Sequence, residues 1–151
     1  MVTNPESPGS REPPRTGNFG RRSLITWWAL SAIFLLAMGG IHLYLVLFGG
    51  TGGVLGRLFV VNAIGALVLA VTMVLAQGRL LVLASLLSLL FMAGTLLALV
   101  LALTVGLFGI RSSLNYQLAP TTLVVESIGT VVLVTTTARA AHNQRAAPTQ
   151  R

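Results

Sequence analysis

The chain has 151 residues, of which 54% are hydrophobic and 9% charged, with a formal net charge of +7 and no cysteine. A soluble domain of this size needs a far more charged surface, and without cysteine there is no disulfide, thiolate ligand or cysteine nucleophile. The charge comes from ten arginines against three glutamates, with neither lysine nor aspartate. These arginines lie in tails and turns flanking apolar runs, so they read as topology determinants and contacts to anionic lipid, not as a nucleic-acid surface.

Residues 1–22, MVTNPESPGSREPPRTGNFGRR, form a basic tail whose Pro5, Pro8, Pro13 and Pro14 oppose a regular helix. Disorder is expected there, and the PPR run reads as spacer more readily than as a polyproline ligand. The apolar run that follows is too long for the core of a cleaved signal peptide, so it reads as an uncleaved anchor.

The first span is expected over residues 24–48, about 37 Å as a helix. Trp27 and Trp28 stand at its start behind Arg21 and Arg22, the order of charge, indole and aliphatics found at a membrane interface. Gly39 and Gly40 permit a close helix approach or a mild bend. GGTGG at 49–53 lacks the Gly-Lys-Ser/Thr ending and preceding strand of a phosphate loop and predicts a tight helical hairpin. The second span is expected over 54–76, with Ala66 and Ala70 as a small-residue packing pair. After a short turn, the third span covers 80–108; at about 43 Å it must tilt, or its last residues, 105–108, must lie in the interface. A loop with Arg111, Asn115 and Tyr116 leads to the fourth span, 118–138, where Pro120 suits the first turn. Residues 139–151 form a second basic tail.

The expected fold is therefore all-α: an antiparallel bundle of four transmembrane helices with disordered tails. The two tails and the second turn carry eight arginines, while the opposite side carries Arg57 and Arg111. That bias predicts cytoplasmic termini in a multi-pass protein of the cell membrane.

Four polar residues stand at apolar depth: His42, Arg57, Asn62 and Glu126. His42 falls roughly 9 Å from the outer end of its span, and Asn62 and Glu126 roughly 12 Å from the outer ends of theirs. Arg57 lies nearer the surface and can reach inward or outward. Ionisable groups at such depth turn away from lipid and seek partners. Glu126 has two options: a neutral acid on its own, or a carboxylate beside Arg57 or a protonated His42. Thr122, Glu126 and Thr130 recur every four residues as a polar stripe. Arg57 and Asn62 are about 140° apart around their helix, so both cannot point into one pocket. Asn62 reads as interhelical glue, and Ser85, Ser88 and Thr95 as hydroxyls bonded to their own backbone.

Three functions follow from these residues. The leading expectation is a non-enzymatic accessory or structural membrane component whose polar cluster fixes helix register. The rival is a small proton-coupled transporter using Glu126 and His42. The third is an accessory subunit in membrane quinone or haem chemistry, against which stands the lack of a second ligand, His142 being in the far tail. No catalytic constellation is found, and neither a cofactor nor a metal site is expected. The expected partners are the lipid bilayer and a homo-oligomer or larger membrane complex, with no nucleic acid.

The segments Gly40-Ile41-His42-Leu43-Tyr44-Leu45 and Leu58-Phe59-Val60-Val61-Asn62-Ala63, joined by a glycine turn, carry a resemblance. Over roughly residues 24–138 the chain resembles a group of uncharacterised four-helix membrane proteins of high-GC Gram-positive bacteria. These have a G-x-H-L-x-L segment, an L-F-x-x-N-A segment and a last helix that begins after a proline and carries a glutamate, as Pro120 and Glu126 do here. The resemblance implies no activity; it implies that His42, Asn62 and Glu126 belong together. In size and span count the chain is also similar to DoxX-like proteins and to small multidrug-resistance exporters, but the latter place their essential glutamate in the first span, which has none here.

Overall fold

A computed structural model describes residues 17–106, 113–115 and 118–146, and the backbone alone for 17–23. It is all-helical: α1 Gly17–Leu47, α2 Gly53–Leu75, α3 Arg79–Thr104 and α4 Ala119–Ala146. All four are long and apolar enough to cross a membrane. The shortest, α2, has 23 residues and rises about 34 Å, already the thickness of a hydrocarbon core.

α1 packs against α2 and α4, and α3 closes the ring against α4 and, less extensively, α2. The neighbours of α1 run antiparallel to it. Gly39 rests on Ala63 and Ala66 of α2, whereas one turn on His42 meets Phe59 and Asn62. On the α4 side Ser31 meets Thr136 and Phe34 meets Gly129. Met92 of α3 also packs on Gly129, and Phe91 on Gly65 of α2.

Small residues bring these helices close. Ala32, Ala66, Ala70, Ala84 and Ala140 are buried around Leu35, Met38, Met73, Met92 and Leu133. Lipid tails are as apolar as leucine, so association depends on close packing and interhelical hydrogen bonds more than on apolar burial. The outward surface fits that rule, since Leu75, Leu80, Leu90 and Val131 are each more than half exposed.

The first turn is a glycine hairpin. Gly50 and Gly53 take φ of +67° and +63°, a region where a Cβ is strained, and the Thr51 amide donates to the Leu45 carbonyl at 3.1 Å. At one end of the bundle the hydroxyls of Ser31 and Thr136 lie 2.9 Å apart. Ser31 also bonds the Trp27 carbonyl at 2.9 Å, and the Arg139 guanidinium stands 5.1 Å from the centre of the Trp27 ring. The start of α1 and the end of α4 are thus at the same end.

Three helix boundaries differ from the expected spans. α1 starts at Gly17, so residues 17–22 continue the helix instead of the tail; Pro14 is the last residue whose ring would block it. α4 runs on to Ala146 through RAAHNQRA, in which alanine and arginine favour helix. α3 stops at Thr104, where Gly106 at φ +88° turns the chain and its amide closes on the Leu101 carbonyl at 2.8 Å. Tail residues 1–16 and 147–151, residues 107 and 108, Arg111 and Tyr116 lie outside the described residues.

Candidate functional site

Met38 and His42 are one turn apart on α1, and Phe59 and Asn62 are nearly one turn apart on α2. Where these faces meet, the His42 ring is fixed from both sides. Its Nδ1 lies 2.9 Å from the Met38 carbonyl. A carbonyl only accepts, so Nδ1 carries the proton. Nε2 is then the acceptor for the Asn62 amide, at 3.4 Å. The same amide lies 3.7 Å from the Met38 sulfur, and the Phe59 ring meets the imidazole edge-on at 4.7 Å. The result is a neutral polar knot joining α1 to α2. Ligation of a metal or haem iron by His42 would require breaking one of these bonds. Among the described residues, no three His, Cys, Asp or Glu side chains group to hold a metal.

Glu126 is arranged differently. It is 1% exposed, and neither carboxyl oxygen has a hydrogen-bond partner among the described residues. The contacts Ser31–Thr136 and Phe34–Gly129 set the register of α4 on α1. Continued by one turn, they bring Glu126 opposite the turn that carries Met38. The Met92–Gly129 contact likewise brings the turn of Thr95 to the level of Glu126. The Thr95 hydroxyl stands close enough to interact with the carboxyl, yet each hydroxyl nearby gives its proton to a backbone carbonyl. Thr95 donates to the Met92 carbonyl at 2.8 Å, Thr122 to Leu118 at 2.8 Å, and Thr130 to the carbonyl of Glu126 itself at 2.7 Å. A lone carboxylate in such surroundings is strongly disfavoured, so the site suits the neutral acid.

The four residues singled out in the sequence therefore separate. His42 and Asn62 are hydrogen-bonded; Glu126 bonds neither; Arg57 is exposed near the start of α2. His142 is also exposed, on the last turns of α4, at the end of the bundle away from His42.

The polar stripe of α4 also turns. Its buried face runs through Thr122, Glu126, Gly129, Leu133, Thr136 and Ala140, while Thr130 is only half-buried. At 100° per residue these buried residues lie on one side of Glu126, within about 80°, with the buried Val132 further round at about 120°; the buried Ala119 lies about 20° and Thr130 about 40° to the other side. That rotation brings in Thr136, a residue the four-residue spacing misses and a 3.6-residue period would approach. Ser85 bonds the Val82 carbonyl at 2.9 Å, as expected of a membrane-helix serine. Ser88 does not follow: its hydroxyl is buried without a partner among the described residues.

The resemblance drawn from the GIHLYL and LFVVNA segments rests on those residues, for the chain matches no family model, no curated protein and no solved structure.

Proposed function

We propose that this protein is a multi-pass component of the cytoplasmic membrane with both termini inside, and that its role is accessory or structural, within a homo-oligomer or a larger membrane complex, and not enzymatic. The observation that carries this reading is the His42–Asn62–Met38 knot. The Asn62 amide of α2 reaches His42 and Met38 of α1, which is the use of polar residues that fixes register between membrane helices. The excess of arginines in the tails and second turn supports the orientation.

Two measurements test it. Asn62→Leu leaves His42 Nε2 without its donor and should lower stability by about 1 kcal/mol, read as a lower midpoint of denaturation in detergent. An unchanged midpoint would remove the structural role of the knot. The chain has no cysteine, so Asn115→Cys introduces a unique label site at the exposed Asn115. A membrane-impermeant maleimide should reach it from outside intact cells; labelling only after the cytoplasm is opened would invert the topology.

One observation favours a second reading, a small proton-coupled transporter: the carboxyl of Glu126 is buried and neither of its oxygens has a hydrogen-bond partner among the described residues. Ionisable residues placed inside a membrane bundle commonly mark proton or solute pathways.

A further inference from the structure

The buried polar side chains of the described residues are Ser31, His42, Thr51, Ser85, Ser88, Thr122, Glu126 and Thr136. The helix register arranges most of them in order along the bundle. Thr122 lies one turn outward from Glu126, and His42 is at a similar level on α1. Going the other way, the next layer is apolar. A Cβ on Gly129 would stand 3.1 Å from the Met92 methyl and 3.2 Å from the Phe34 Cβ, so this layer is tightly packed. Beyond it come Ser88 and then Ser85, level with the Ser31–Thr136 pair. From Glu126 to the level of Ser88 is about 10 Å along the axis.

Five buried polar atoms have no partner among the described residues; Trp28 Nε1 and Thr137 Oγ1 are two of them, and the other three flank that layer. Both oxygens of Glu126 lie on one side and the Ser88 hydroxyl on the other. Buried polar groups in membrane helices normally bond to their own backbone or a neighbour, as Thr95, Thr122, Thr130 and Ser85 do. The Glu126 carboxyl is the one ionisable group among these exceptions, with the Thr95 hydroxyl as its polar neighbour. Methionine is the side chain best able to swing from such a layer, having three flexible bonds and no branch.

We propose that Glu126 is a proton-binding site in the bundle interior, reached from the end of the bundle that carries Thr122 and His42, and that the Met92 side chain on Gly129 is the barrier between it and the hydroxyls of Ser88, Ser85, Ser31 and Thr136. The proton is taken from and returned to water at that end, interconverting carboxylate and acid, with no other bond made or broken. No described cation faces the carboxyl. α1 offers His42, held by Asn62, and the exposed Tyr44; α2 offers the exposed Arg57; α3 has Arg79 at its far end; α4 has Arg139, His142 and Arg145 beyond the hydroxyls. The inference rests on the transporter reading of Glu126 and adds its route and its barrier.

The test uses the full chain in phospholipid vesicles, with dicyclohexylcarbodiimide as a membrane-soluble probe of protonated carboxyls and an internal pH dye to follow proton entry under an imposed potential. Glu126 should form a stable N-acylurea, located by peptide mass spectrometry, and labelling should decline as external pH rises. Met92→Ser should raise proton entry about tenfold or more above wild type, Met92→Leu should not, and Glu126→Gln in the Met92→Ser background should restore the wild-type rate. Absence of labelling in the folded wild-type protein would overturn both the proton site and the transporter reading. Labelling at Glu126 with no increase in Met92→Ser would leave the site and remove the barrier. A leak that survives Glu126→Gln would place the route elsewhere. If Met92→Ser does not fold, the pH-dependent labelling of wild type still decides the site, and Met92→Ala decides the barrier.

Discussion

Gly39→Leu is expected to destroy the folded bundle, while Gly40→Leu is expected to leave it intact. A Cβ at position 39 would stand 2.9 Å from the Ala66 Cβ and 3.4 Å from the Ala63 carbonyl oxygen, whereas a Cβ at position 40 meets nothing within 4 Å. The clash at position 39 involves a side chain that has no rotamer to change and the backbone of α2, so a leucine there forces α1 and α2 apart. Overpacking of this kind costs about 3 kcal/mol or more where backbone must move. The separation would also break the His42–Asn62 bond one turn away. At position 40 leucine faces outward, and its better helix propensity contributes about 0.8 kcal/mol in its favour. Size-exclusion profiles and unfolding titrations of both variants in detergent provide the check. Similar behaviour of the two would mean that α1 and α2 do not meet through Gly39. Ala66→Gly should partly rescue Gly39→Ala, because it removes the atom that the new methyl strikes.

Those adjacent glycines show how far the sequence could be read. Four spans are legible from run length alone, because a membrane-crossing helix needs about 20 apolar residues and little else. The hairpin at GGTGG and the Ala66/Ala70 packing pair are legible for similar reasons, small or flexible residues at positions that need them. Rotation is harder. In a soluble helix the polar face shows which side is inward, but residues 33–41 of α1, IFLLAMGGI, are apolar all round, so Gly39 and Gly40 differ only by about 100° that no pattern records. The same difficulty conceals Thr136 within the run Thr135-Thr136-Thr137. Depth can be calculated from span ends and brings His42 and Asn62 to one level, where they are indeed bonded. Depth does not say which helix neighbours which. Glu126 is at a comparable depth, yet it faces the turns of Met38 and Thr95 and has no bond to either member of the knot.

Glu126→Gln and Glu126→Lys should then part sharply. Glutamine has nearly the shape of a neutral glutamic acid and adds no charge, so the bundle should keep its stability within about 0.5 kcal/mol. Lysine brings an ammonium into a site that is 1% exposed. Glu126 is the only acidic residue among those described, since Glu6 and Glu12 lie in the N-terminal tail; the substitution therefore removes the one carboxylate that could have paired with it. An uncompensated charge at such a position costs about 3 kcal/mol or more. Position 126 lies seven residues inside the start of α4, about 10 Å along the axis, which limits how far a lysine can relieve the cost by reaching the surface. Thermal unfolding in detergent should give Glu126→Gln the wild-type midpoint and Glu126→Lys a protein that aggregates or melts far lower. Equal losses in both would mean that the native group is a carboxylate held by a cation, because only then does removing its charge cost as much as reversing it.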